Sequence, residues 1–145
     1  MAMTNIDQLL ADFNWDNFRE LSDSLAEVNS DDLDTVLSEQ ASLYSYYSGL
    51  MAASKRKLGS LEANLNRLSG SVRSSLKKGS SVKLTAKDLD DLVFCDEEYI
   101  SKNDEVIEAT FHYDVLKGLC RALEHKKDML VQLSSNRRAE TKLYN

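Results

Sequence analysis

The sequence predicts an all-α protein built as a long antiparallel, coiled-coil-like helical hairpin, and three observations predict it. The 145 residues contain no proline and only five glycines, so almost nothing in the chain breaks a helix. Two long stretches repeat apolar residues in alternating steps of three and four, which is the pattern of a helical seam. Between them lies a strongly basic stretch bearing glycine and serine, suited to the turn. With 42% hydrophobic and 29% charged residues, the chain has the size and balance of one domain over 1–145.

Taken in order, residues 1–29 predict a short acidic helix. Thr4 can cap it, and Ile6, Leu9, Leu10, Phe13, Leu21, Leu25 and Val28 recur on one apolar face. Asn29, Ser30 and Asp31 then supply turn and cap chemistry, and Asp31, Asp32 and Asp34 place negative charge where a helix start favours it. A first long helix follows over 31–69. Its seam runs Leu33, Leu37, Gln40, Tyr44, Tyr47, Met51, Ser54, Leu58, Leu61, Leu65 and Leu68 without a slip. At 1.5 Å per residue such a helix is about 57 Å long and needs a partner along its length.

Residues 70–95 predict a basic connector. The stretch from Ser69 to Ser81, SGSVRSSLKKGSS, has glycine and serine at both ends, and Thr85 can cap a short helix over Ala86 to Phe94. Asp96, Glu97 and Glu98 mark the start of a second long helix over 96–138. Its seam is Tyr99, Val106, Ala109, Tyr113, Leu116, Cys120, Leu123 and Leu130, interrupted by Lys102 and Lys127 and widened by Ile107, Leu119, Met129 and Leu133. One flank of so wide a stripe packs on the first long helix. The other either meets further copies of the chain, making a homo-oligomer through Ile107, Leu116, Leu119, Leu123, Leu130 and Leu133, or is covered by the N-terminal helix of the same chain.

The formal net charge of −6 conceals a block pattern. Residues 1–40, 41–87, 88–109 and 110–145 carry nets of −9, +8, −8 and +3, and the second block sets nine bases against the single acid Glu62. Nine cations near the turn of a hairpin create a local field for which a phosphate backbone is the natural ligand. Of the nearby aromatics, Tyr44 and Tyr47 fall on the seam, which leaves Tyr46 as the one available for base stacking.

Catalysis has no foothold in the motifs: a phosphate-cradling glycine loop, a GxSxG elbow, an HExxH pair and zinc-spaced Cys/His clusters are all missing, so the expectation is no enzyme and no cofactor. His112 and His125 fall on different helix faces. The acids Asp88, Asp90, Asp91, Asp96, Glu97 and Glu98 lack the loop glycine a calcium site uses, and helix-start charge accounts for them better. Cys95 and Cys120 suit a reducing compartment, and MAMTNIDQLL reads neither as a secretory signal nor as part of a membrane span. A cytoplasmic protein that does not meet a membrane is expected.

Two segments, LYSYYSGLMAASKRKLGSLEAN (Leu43 to Asn64) and YDVLKGLCRALEHKKDMLVQLSSNRRAETK (Tyr113 to Lys142), resemble the UvsY-like recombination mediators of tailed bacteriophages. Together they cover under half of the chain. These mediators are small helical proteins that load a RecA-type recombinase onto single-stranded DNA coated by single-stranded-DNA-binding protein. The resemblance implies an oligomeric ring through the C-terminal helices and strand contacts at Lys55, Arg56, Lys57, Arg67, Arg73, Lys77 and Lys78. It further implies the recombinase and the single-stranded-DNA-binding protein as partners, in a host cytoplasm. The serine-rich connector and the acidic N-terminus depart from the family's pattern. The rival expectation is an assembly scaffold or chaperone whose seam binds a protein. In that case residues 1–40 dock a basic partner, or fold over the basic block.

Overall fold

The N-terminal segment breaks where short polar side chains compete for the backbone. In the computed structural model, which describes residues 5–28 and 32–145, Asn5 Oδ1 accepts from the Asp7 N–H at 3.0 Å and opens α1 (Ile6–Asp12). Asn14 Oδ1 then accepts from the Asp16 N–H at 3.2 Å and starts a 3-10 turn, Trp15–Asn17, that leads into α2 (Phe18–Ala26). The expected single helix over 1–29 is thus corrected to two, because an Asn side chain offers the backbone an alternative to helical bonding. The expected Thr4 cap and the Asn29–Asp31 turn lie outside the described residues.

Two long helices follow, α3 (Leu33–Gly79) and α5 (Glu97–Tyr144), with the short α4 (Ala86–Phe94) between them, and the fold is the expected all-α hairpin in which α3 packs against α5. The chain divides into two compact units, one formed by Met1–Ala53 with Tyr113–Asn145 and the other by Ser54–His112.

In the first unit the core is one apolar cluster. Leu50, Leu116 and Leu123 are fully buried in it, joined by Leu10, Leu25, Tyr47, Ala53, Leu119 and Cys120. Leu9, Phe13, Trp15 and Leu21 pack against it, with the Phe13 and Trp15 rings tilted at 4.4 Å. Each fully buried leucine contributes about 1.5–3 kcal/mol relative to exposure. At the contact with α1, a Cβ added to Gly49 would stand 2.9 Å from Ile6 Cδ1, so the end of the Ile6 side chain rests where a side chain at 49 would lie. The N-terminal segment therefore shares the core with Leu116, Leu119 and Leu123, the second of the two coverings open from the sequence. Leu130 is also fully buried, Leu133 is half-buried, and of the six positions named for assembly only Ile107 is exposed.

The second unit holds the rest of α3, all of α4 and the start of α5. Here the structure corrects the connector. The sequence expects α3 to end at Ser69, yet the helix continues to Gly79. Val72 and Leu76 extend the spacing of Leu65 and Leu68 and are half-buried like them. That packing outweighs the roughly 1 kcal/mol that Gly70 costs in a helix interior, and Lys77 and Lys78 suit the negative end of the helix dipole. The turn shrinks to residues 80–85, where Ser80 Oγ donates to the Val82 carbonyl at 2.7 Å. Helix α4 forms where expected: Thr85 and Asp88 complete a reciprocal capping box, and Leu89 and Val93 are buried. Asp96 Oδ1 accepts from the Tyr99 N–H at 2.9 Å and caps α5, which runs on to Tyr144 rather than stopping at residue 138. Among the described residues, no helix is long and apolar enough to cross a membrane.

Gly59 and Gly70 have open space where a Cβ would go. Gly59→Ala and Gly70→Ala should each add about 0.5–1 kcal/mol in a chemical denaturation followed by circular dichroism. Leu123→Ala should cost about 2–5 kcal/mol. No gain at Gly70 would place that residue outside a regular helix.

Candidate nucleic-acid interface

All seven cations named as strand contacts lie on α3 within the Ser54–His112 unit. Successive helical residues turn by about 100°, so Lys55, Arg56 and Lys57 fan around the helix instead of sharing one direction. All three are exposed, as are Arg67, Lys77 and Lys78. Twenty residues separate Lys57 from Lys77, about 30 Å along the axis. The cations therefore form a track rather than a single patch, and Glu62 is the one acid in the sequence between them.

The members of the track differ in what surrounds them. Lys57 lines a cleft of about 390 Å³ with Leu61, Glu105, Glu108, Ala109 and His112, so carboxylates of α5 face it. Burial pushes the His112 imidazole below its ordinary pKa. Glu108, at 3.0 Å, opposes that shift, and the charge of Lys57 adds to it. Arg67 Nη1 donates to Asn64 Oδ1 at 3.0 Å, one turn away on the same helix. Arg73 stands apart: it is half-buried and ion-paired with Asp90 of α4, so its charge holds α4 against α3. A cation already paired within the unit adds little to an external field.

At the far end of the track, Lys77 and Lys83 come together around a cleft of about 490 Å³ lined also by Ser80, Ser81, Val82 and Leu84. Both lysines line this cleft, and a lysine ammonium is a phosphate ligand. Lys83 belongs to the basic block, but sequence reasoning did not single it out, because its approach to Lys77 depends on where the turn falls. The neighbouring acids have structural employment: Asp88 bonds Thr85, which holds its carboxyl below the usual range, Asp90 pairs with Arg73, and Asp96 caps α5. Tyr46, expected to be free for stacking, is 42% exposed and meets Tyr47 edge-on at 4.9 Å.

No family model matches the chain, and no curated protein or solved structure does.

Two measurements check this arrangement. A double-mutant cycle on Arg73→Ala and Asp90→Ala should return a coupling of about 0.5 kcal/mol, as expected of a half-exposed pair. Because the folded-state pKa of His112 is depressed, the unfolded chain binds the proton more tightly. The associated stability should be present above about pH 6.5, the unfolded value, and be lost as pH falls through the folded pKa. His112→Gln should flatten that part of a profile of melting temperature against pH.

Proposed function

We propose that this protein is a UvsY-like mediator: it binds single-stranded DNA along α3 and helps load a RecA-type recombinase onto strand coated by single-stranded-DNA-binding protein. The observation that carries this reading is the track of six exposed cations, Lys55, Arg56, Lys57, Arg67, Lys77 and Lys78, in a block with one acid. Each lysine or arginine that neutralises a phosphate releases condensed counterions, so affinity comes from charge and not from sequence readout. The cleft between Lys77 and Lys83 gives the track a defined end. No step requires bond chemistry. The action is to hold strand while one coating protein replaces another, and several copies acting together would hold successive strand segments.

The scaffold reading has its own support. Leu92, Phe94, Ile100, Ile107 and Phe111, all within the Ser54–His112 unit, are 42–61% exposed, and large apolar side chains in that number suit a protein partner.

Fluorescence anisotropy with a labelled single-stranded oligonucleotide separates the two. Mediator activity requires binding at low salt, with log K falling linearly against log salt. Lys77→Glu combined with Lys78→Glu should weaken binding about tenfold and reduce that slope by roughly 0.7 for each phosphate no longer neutralised, with helicity retained and the melting temperature slightly lowered by the acids at the negative end of α3. Arg73→Ala should leave the slope as it is, since Asp90 already holds that charge. A protein that does not bind the oligonucleotide at low salt is not a mediator.

A further inference from the structure

Within the Ser54–His112 unit, the first turns of α5 carry two parallel rows of side chains on the face turned away from α3. Ala109 marks the inward side, since it is buried and lines a cleft with Lys57 and Leu61 of α3. At about 100° per residue, Ile100, Ile107 and Phe111 fall within roughly 40° of one another on the opposite side, and all three are exposed. Glu97, Asp104 and Glu108 are exposed as well and repeat the same steps of seven and four, three positions earlier. That offset sets the acids in a second row about 60° round the helix, beside the apolar row, each row being about 16 Å long. Internal pairing leaves much of the charge in place. Among the described residues Glu97 and Asp104 pair with no cation. Lys102, the single base between positions 97 and 111, is held by Glu105 at 3.4 Å, and Glu108 meets His112 at 3.0 Å.

We propose that these rows dock an amphipathic helix of a partner protein, one that presents an apolar row and beside it a row of lysine or arginine. The spacing gives the shape. Side chains at steps of seven and four on a straight helix form a seam that a second helix meets along its length. Burial of Ile100, Ile107 and Phe111 supplies affinity, and the acid row sets the sign of the partner and its register. A second copy does not serve through the same face, because its acids would lie against these. The α3 of a second copy offers cations, but its seam leucines, Leu61 and Leu65 among them, are half-buried in their own unit. A nucleic acid or an anionic membrane surface is repelled by the acid row. The inference rests on reading Ile100, Ile107 and Phe111 as a protein-docking face and gives that partner its chemistry. It does not depend on DNA binding at α3.

The test is a two-dimensional NMR titration of the ¹⁵N-labelled full chain, read at the backbone amides of Asp104, Ile107 and Phe111. The probe is a capped helical peptide of about 18 residues, with leucine along its seam and lysine on both flanks. Its controls are a shuffled isomer of equal charge and a twin with glutamate in place of every lysine. The lysine peptide should shift the three amides saturably, with each control at least about tenfold weaker, because each lacks one of the two matched rows. Ile107→Gln and Asp104→Lys, both at exposed positions, should each weaken the lysine peptide by a similar factor at unchanged helicity. Leu143→Gln, at an exposed apolar position of the other unit, should not. The proposal is overturned if the lysine peptide leaves the three amides unmoved, if the shuffled isomer binds as well, or if either row variant binds with unaltered affinity. A glutamate twin that binds as tightly would keep a protein-docking face and remove its basic partner, which also overturns the proposal. So does a homodimer in sedimentation equilibrium that Ile107→Gln dissociates, since a second copy would then cover the row.

Discussion

An apolar stripe on a helix of 47 residues has to be kept from water over its whole length, and covering it is the constraint on which the rest of the structure depends. In each unit α5 supplies that cover for α3. Most of the seam is leucine, which any apolar partner could match at several offsets. Gln40 is different: its amide reaches the Leu123 carbonyl, and a slide of one turn would take that donor from its acceptor inside the core. A single buried polar side chain of this kind selects a register that leucines alone would leave open. The N-terminal segment then closes the remaining flank, with Leu10 and Leu25 in the same cluster as Leu116, Leu119 and Leu123.

The charge blocks follow from the same constraint. Seam positions are taken by apolar residues, so the cations of α3 are displaced to its outer faces, and a continuous helix spaces them at a fixed rise. What they do afterwards depends on neighbours. Arg73 meets Asp90, Lys57 lines a cleft with Glu105 and Glu108, and Lys77 and Lys83 line one cleft at the turn. Residues of one type in one block thus divide into an internal fastening, a compensated edge and a concentrated positive end.

Much of the fold was legible because its signals are local. Thr85 and Asp88 announce α4 by a spacing that satisfies both backbone and side chain, and the helix forms over the residues that spacing implies. The continuation of α3 was misread because SGSVRSSLKK has the composition of a loop. Half-burial of Val72 and Leu76 prevails over composition, and tertiary packing often decides so against propensity. The break at Asn14 was hidden behind a good apolar face: Leu10 and Leu25 do point to one core, but from two helices separated by a side-chain cap. Of the candidate interface, the basic block was legible and its internal division was not, since nothing in the sequence marks Arg73 off from Lys77.

By itself the sequence determined the periods, the caps and the segregation of charge, since each depends on residues within a few positions of one another along the chain. The tertiary structure alone decided what covers the second flank of α5, which cations remain available to solvent and which polar atoms are left without a partner. Those outcomes rest on distances between residues some 17 to 83 positions apart, as in Arg73 with Asp90 and Gln40 with Leu123. Such distances exist only once the helices have paired, because burial and ion pairing act through space and a linear pattern carries no record of which faces will meet.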